Sequence, residues 1–157
     1  MSGAIAGTAI LKNMSETDKL EIVTMTINNE CNMHCPHCYM QYDKESYMIN
    51  DDTLKSVFNS SFNHLAIVGR EPLINEESIR VLEKIAKMCS ENDKSISMVT
   101  NGSRLLDCDL ELIKYFDFID VSFDGGVRRY NDYRKGDFIK IINGVKKIND
   151  AGVSVNA

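Results

Sequence analysis

The sequence has no basic block and no long apolar run. Its 18 Lys and Arg residues are outnumbered by 23 Asp and Glu residues, which gives a net charge of −5. Binding to a nucleic-acid backbone, which depends on clustered cations, therefore gets no electrostatic support. No segment approaches the roughly 20 consecutive apolar residues that cross a bilayer, so a membrane partner is not expected either. The acidic balance indicates solubility rather than a class of partner.

A secretory signal and a disulfide framework are not expected either. The short apolar stretch within residues 1–13 has no basic residue before it, unlike a signal peptide. The cysteine count of 5 is odd, and three of the cysteines lie close together in the sequence. Together these features predict a reducing compartment, by default the cytoplasm, and a metal centre rather than disulfides.

Hydrophobic content of 43% and charged content of 26% are typical of a globular domain. We expect a loose lead-in over 1–20 and one domain over 21–157. Within the domain, β-branched segments alternate with amphipathic ones. The predicted strands are 21–27, 64–68, 95–99, 118–123 and 153–157. The predicted helices begin at 50–52, at 75–77, at the N-cap Asp107 and at Phe138, and the last ends near Gly152.

This alternation predicts an α/β fold with right-handed βαβ units and a parallel sheet. Five strands fit either a partial (β/α) barrel of the TIM type, truncated within the fifth strand, or an open doubly wound sheet. In both folds the functional face lies at the carboxyl ends of the strands. All the distinctive motifs follow a predicted strand, so we expect them to meet at one edge of the sheet.

Cys31, Cys35 and Cys38 form a C-x3-C-x2-C motif directly after the first strand. The spacing places three thiols on one short loop, and no fourth ligand is obvious. A closed structural site normally has four protein ligands, so three predict a centre with one open position. The alternative is a zinc site completed by His34 or His37, although a turn this tight leaves little room for a fourth ligand from the same loop.

The motif and its position resemble the radical S-adenosylmethionine (radical SAM) superfamily. The resemblance implies that Cys31, Cys35 and Cys38 hold three irons of a [4Fe–4S] cluster and that SAM chelates the fourth. It also implies that His37, just before the third cysteine, packs near the adenine of SAM.

The segment Gly69-Arg70-Glu71-Pro72 resembles the Gly-Gly-Glu-Pro segment of that family. The resemblance implies that Gly69 and Glu71 hold the amino group of SAM. Arg70 departs from the second glycine, and its side chain can crowd the close approach of the backbone there. The alternative is an ordinary Gly-x-x-Pro loop with a solvated glutamate.

The segment from Ser122 to Gly136 resembles the fourth-strand region of radical SAM enzymes that modify peptides or proteins (SPASM-type) and of their molybdopterin-pathway relatives. The resemblance implies that Ser122 and Arg134 grip the carboxylate of SAM, since an arginine fork matches a carboxylate. Thr100-Asn101-Gly102 resembles another segment of the family, after the third strand, which implies that Asn101 reaches the cofactor or substrate. A surface position for Arg134 near a helix start, and a simple turn at Asn101, are the alternatives.

The expected function is reductive cleavage of SAM to a 5′-deoxyadenosyl radical, which abstracts hydrogen from a peptide or small organic substrate. An electron donor such as flavodoxin or ferredoxin is then an expected partner. Because the family core has more βα units than this chain, we expect a fragment or truncated reading frame. The competing hypotheses are a non-catalytic iron–sulfur or zinc module serving as a partner subunit, and a doubly wound nucleotide-binding domain. The latter is weakest, because no glycine-rich phosphate loop follows the first strand.

Overall fold

The structure, a computed structural model, describes residues 20–40 and 45–156. The predicted lead-in over 1–20 lies outside these ranges except for Leu20, which begins the first strand. The strands are β1 (Leu20–Thr26), β2 (Phe62–Val68), β3 (Ser95–Thr100), β4 (Phe118–Val121) and β5 (Ser154–Asn156). The helices are α1 (Asp51–Phe58), α2 (Glu76–Glu91), α3 (Leu110–Ile113), α4 (Val127–Arg134) and α5 (Phe138–Asp150), with a 3₁₀ turn at Leu105–Asp107.

The five strands form one parallel sheet in the order β1-β2-β3-β4-β5. Each strand pairs with the one before it in the sequence, so the crossovers all advance in one direction. A doubly wound sheet instead reverses its strand order at a switch point. The sheet is therefore an arc of a (β/α) barrel, as predicted, and the doubly wound alternative is wrong.

The sheet is apolar on one face and mixed, with several small or polar residues, on the other. Val23, Leu65, Ile67, Ile96 and Ile119 are buried in the main hydrophobic core. The residues that alternate with them in the strands include Thr24, Ala66 and Ser97, which the registers place side by side across the sheet, and Asp120, which pairs with Val99. Because side chains alternate along a strand, this second set lines the concave side of the arc.

The predicted starts of the first two helices are confirmed. The side chain of Asn50 accepts a hydrogen bond from the Thr53 amide, and that of Asn75 accepts one from the Ser78 amide, both at 2.9 Å. The predicted cap of the third helix is wrong. Asp107 ends the 3₁₀ turn, the extended backbone of Cys108 follows, and Asp109 caps α3 by accepting from the Glu111 amide.

The region after β4 contains two helices where the sequence predicts one. Helix α4 ends at Arg134, its C-cap Lys135 has a left-handed φ of 59°, and Asp137 caps α5. Gly152 follows α5 with a φ of 88°, which confirms the predicted glycine stop. Within residues 20–40 and 45–156, no helix is both long and apolar enough to span a membrane.

Candidate cofactor and metal site

The three predicted ligand cysteines lie on the loop that leaves β1. All three thiols are free; Cys35 is buried, whereas Cys31 and Cys38 are half-buried. The loop is locally ordered, since the Cys38 amide donates to the Cys35 carbonyl at 3.0 Å and the Met33 amide lies 3.4 Å from Cys31 Sγ. Asn28 anchors its start by donating to Ser78 Oγ. The chain thus presents three sulfurs from one supported loop.

Each sulfur has a separate nitrogen donor nearby. Asn101 Nδ2 lies 3.6 Å from Cys31 Sγ, Arg134 Nη1 lies 3.8 Å from Cys35 Sγ, and Arg70 Nη1 lies 3.9 Å from Cys38 Sγ. The donors come from three different places: Asn101 follows β3, Arg134 ends α4 and Arg70 follows β2. Nitrogen donors and positive charge favour thiolate sulfur, the form in which cysteine binds a metal.

The sulfurs also influence one another. Burial raises the pKa of Cys35, the nearby Arg134 guanidinium opposes this, and the thiols of Cys31 and Cys38 raise the pKa further. The three sulfurs are therefore close enough for their negative charges to repel when deprotonated. A cationic metal centre among them would remove that penalty.

The residues present fit a cluster that binds one iron per cysteine. Within the described part of the chain, no three His, Cys, Asp or Glu side chains converge as ligands of a single ion would. A cubane cluster does not need such convergence, because each cysteine binds a different iron atom. A buried Arg70 Nε without a partner among the described residues is a further donor suited to an anionic group beside the loop.

Glu71 lies on the neighbouring loop and is completely buried. Its carboxylate accepts hydrogen bonds from Thr100 Oγ1 at 2.7 Å, the Asn101 amide at 2.7 Å and the Leu73 amide at 3.1 Å. Burial raises the pKa of Glu71, and these hydrogen bonds oppose the rise. In this geometry Glu71 ties the end of β2 to the end of β3. Its role towards the amino group of a cofactor stays a prediction.

Gly69 makes a close backbone approach possible in the same loop. Its φ is 112°, and a Cβ built on it would lie 2.7 Å from Thr26 Cγ2 on β1. Both the conformation and the space therefore require glycine. This explains the first glycine of the motif, whereas Arg70, in place of the second, directs its side chain towards the cysteine loop.

Arg134 is the last residue of α4 rather than a residue near a helix start. Its Nε donates to the Asp124 carboxylate, and its Nη2 lies 3.4 Å from His37 Nε2. The His37 ring stacks on Tyr133, with ring centroids 4.9 Å apart and planes 2° apart. Arg134, which the sequence predicts to bind a carboxylate, therefore already pairs with the carboxylate of Asp124.

The predicted residues meet at the carboxyl edge of the sheet. His37, Asn101 and Arg134 contact the cysteine loop or belong to it, while Gly69 and Glu71 lie on the next loop. Ser122 extends β4, since its amide donates to the Thr100 carbonyl at 2.9 Å. Among the described residues, the Ser122 side chain forms no hydrogen bond with the other predicted site residues.

Three residues were missed by the sequence interpretation: Thr100, which holds Glu71; Asp124, which holds Arg134; and Arg70, which reaches Cys38. Asp124 had a sequence signal, because it directly follows the fourth predicted strand, the position of the other site residues. Thr100 and Arg70 had no such sequence signal. Their contacts depend on the directions of the Glu71 and Arg70 side chains, which the sequence does not specify.

Fold and site together define a parallel βα arc of the barrel type, with sulfur and guanidinium groups gathered at its carboxyl edge. Residues 25–157 match the family model of the Radical SAM superfamily. The chain belongs to that superfamily.

Curated relatives and solved structures agree. The chain is 24% identical, over 84% of its length, to the antilisterial bacteriocin subtilosin biosynthesis protein AlbA of Bacillus subtilis (strain 168), and covers 31% of that protein. It is 27% identical, over 55% of its length, to an S-adenosylmethionine-dependent nucleotide dehydratase of Fibrobacter sp. (strain UWH6), and covers 29% of it. The chain thus spans about a third of the length of these relatives.

Crystal structures of Streptococcus suis SuiB share the fold. SuiB bound to S-adenosylmethionine and SuiB bound to the precursor peptide SuiA each match with a TM-score of 0.69 and 16% identity. The match covers 87% of this chain and 33% and 32%, respectively, of the SuiB chains. The predicted likeness to molybdopterin-pathway members stays a prediction.

Proposed function

We propose that this chain is the cluster-binding part of a radical SAM enzyme, with Cys31, Cys35 and Cys38 as ligands of a [4Fe–4S] cluster. When bound, cluster and SAM together supply one-electron reductive cleavage of SAM to a 5′-deoxyadenosyl radical that abstracts hydrogen from a substrate. The observation that carries the proposal is the cysteine loop itself, with three free thiols and a separate nitrogen donor beside each.

The carboxylate of SAM would bind Arg134. In this structure the Asp124 carboxylate pairs with the Arg134 guanidinium, and the Arg134 side chain is only 12% exposed. This pair supports a carboxylate-binding role for Arg134. A bidentate guanidinium–carboxylate pair also gives fixed orientation. Ser122, at the end of β4, would donate to the same carboxylate. His37, stacked on Tyr133 beside Arg134, would lie near the adenine.

The amino group of SAM would bind at the loop of Gly69 and Glu71, where glycine permits a close backbone approach. Glu71 would hold the end of β3 in register with this loop, so that Asn101 stays beside Cys31. The backbone of the loop, rather than the enclosed Glu71 carboxylate, would then offer the acceptor to the ammonium. Asn101, whose side chain lies beside Cys31, would orient cofactor or substrate.

The substrate would be a peptide or a small organic molecule. The names of AlbA and of the SuiB complex with SuiA support a peptide, and the name of the nucleotide dehydratase supports a small molecule. An electron donor such as flavodoxin or ferredoxin would reduce the cluster. A cytoplasmic location fits five cysteines that are all free.

Anaerobic reconstitution with iron and sulfide tests the proposal. We expect about four irons per chain, as in a cubane cluster, and 5′-deoxyadenosine after reduction in the presence of SAM. Cys35→Ala should lose the cluster, whereas Cys108→Ala, a matched control outside the loop, should keep it. Iron and absorbance measure the cluster, and chromatography measures the nucleoside.

Each contrary outcome has a distinct meaning. A full cluster in Cys35→Ala contradicts the ligand assignment. Iron without 5′-deoxyadenosine would indicate a non-catalytic iron–sulfur module, the alternative function for a chain that spans a third of its relatives. One zinc per chain would indicate a structural metal site.

A further inference from the structure

Arg70 stands where the Gly-Gly-Glu-Pro pattern has its second glycine, and its side chain turns back across the cysteine loop. Its Nη1 donates to the Met40 carbonyl at 2.9 Å and lies 3.9 Å from Cys38 Sγ. The carbonyl contact fixes the guanidinium beside the sulfur. Its Nε is buried and has no partner among the described residues.

We propose that Arg70 is a positioning residue that raises the reduction potential of the centre bound by Cys38. The inference rests on the proposed function, since it requires the cluster. Adding an electron makes a cluster more negative, and a hydrogen-bond donor or positive charge at a ligand sulfur stabilises that reduced state. Arginine stays protonated at any working pH, so this charge is permanent.

The other two nitrogen donors at the loop provide less net positive charge. Asn101 is neutral, and the charge of Arg134 is balanced by Asp124. Within the described residues no carboxylate forms an ion pair with Arg70. Glu30 lines a cavity together with Cys31 and Arg70, but its carboxylate accepts hydrogen bonds from Ser46 and Asn75. Among the described residues, Arg70 is therefore the cation without an ion-pair partner that lies nearest to a ligand sulfur.

A redox titration of the anaerobically reconstituted full chain tests this inference. Electron paramagnetic resonance would follow the reduced cluster in the wild type, Arg70→Gln, Arg70→Lys and Arg80→Gln. Arg80→Gln is the matched control, because it removes the same charge from the exposed face of α2, where Arg80 pairs with Glu76. Iron content and 5′-deoxyadenosine formation are measured on the same samples.

We expect Arg70→Gln to lower the ratio of reduced to oxidised cluster at a fixed potential by about tenfold, which is about 59 mV for one electron. Arg70→Lys, which keeps the charge, should stay closer to the wild type than Arg70→Gln does. Arg80→Gln should match the wild type.

Equal potentials in the wild type and Arg70→Gln would overturn the inference, as would an equal shift in Arg80→Gln. Loss of the cluster from Arg70→Gln but not from Arg70→Lys would support a requirement for the charge. Loss from both would overturn the tuning role and make Arg70 a residue needed for assembly. A wild type without cluster defeats the proposed function itself, whereas a normal cluster with unchanged potentials defeats only this inference.

Discussion

At the scale of single residues, Glu71 shows how a motif residue can serve the fold. Its carboxylate is enclosed and accepts three hydrogen bonds from the β3 end and its own loop. The Asn101 amide is one of those donors, and the Asn101 side chain contacts Cys31. A change at Glu71 therefore reaches the cysteine loop through one intervening residue.

We predict that Glu71 makes the stability of the metal-free chain depend on pH. Burial raises the folded-state pKa of Glu71 above its usual value of 4.5, so the folded chain holds this proton more tightly than the unfolded chain. The contribution of Glu71 to the free energy of unfolding is therefore largest at low pH and is lost as pH rises through the folded-state pKa.

Urea unfolding of the wild type and Glu71→Gln at pH 5 and pH 7.5 measures this contribution. Between pH 7.5 and pH 5 the difference in free energy of unfolding should move in favour of the wild type, because glutamine does not titrate. The comparison cancels the effects of the other acids. A difference that stays constant, or moves the other way, contradicts the raised pKa.

Much of the site at this scale was predictable, because the residue types carry their chemistry with them. Cysteine spacing, the glycine with positive φ and an arginine near the loop could all be identified from the sequence. The direction of a side chain could not. The sequence alone does not tell whether Glu71 points into the protein or towards a ligand, or that Asp124 pairs with Arg134.

At the scale of elements, the predicted caps located the first two helices but not the third. Asn50 and Asn75 mark the starts of their helices correctly. Each side chain accepts a hydrogen bond from an amide of the first turn, which has no backbone acceptor within the helix. Helix α4 was missed because Tyr130 is its one buried residue. A helix with so little apolar surface leaves no periodic signal.

Helix α5 packs against the 3₁₀ turn through a glycine, which gives a prediction. A Cβ on Gly144 would lie 2.8 Å from the Leu106 backbone nitrogen and 2.8 Å from Leu105 Cβ. Gly144→Ala gains helix propensity, but its new Cβ would clash with the Leu106 backbone, which cannot move away as a flexible side chain could. We expect a net loss of about 1–2 kcal/mol in the free energy of unfolding.

Asn143→Ala is the matched control for this change, because residue 143 is exposed on the same helix. It should leave stability unchanged or raise it slightly, by no more than about 0.7 kcal/mol. Thermal and urea unfolding measure both variants. A Gly144→Ala chain as stable as Asn143→Ala would show that the close packing at this point does not constrain α5.

At the scale of the whole molecule, the strand order decides the fold, and the sequence left it open. Alternating βα units are compatible with an arc or with a doubly wound sheet, because both use the same right-handed crossovers. The choice depends on which strands become neighbours, and that follows from the packing of all helices together. No local pattern in the sequence encodes it.

The sheet should also differ in stability from its middle to its margins. Strands β2 and β3 have a paired neighbour on each side, whereas β5 has three residues, none of them fully buried. We predict that amide hydrogen exchange is slowest in β2 and β3 and fastest, among the strands, in β5. Mass spectrometry of the metal-free chain measures this order; protection of β5 equal to that of β2 would contradict it.

Sequential pairing of the strands separates β1 from β5 in the described sheet. The loop with the sulfur donors leaves the strand at one margin, and β5 is the last paired strand on the opposite side. Sequence change around β5 can therefore accumulate without disturbing the partners of β1. Such a layout lets the region around β5 vary between homologues while the surroundings of the sulfur donors are kept.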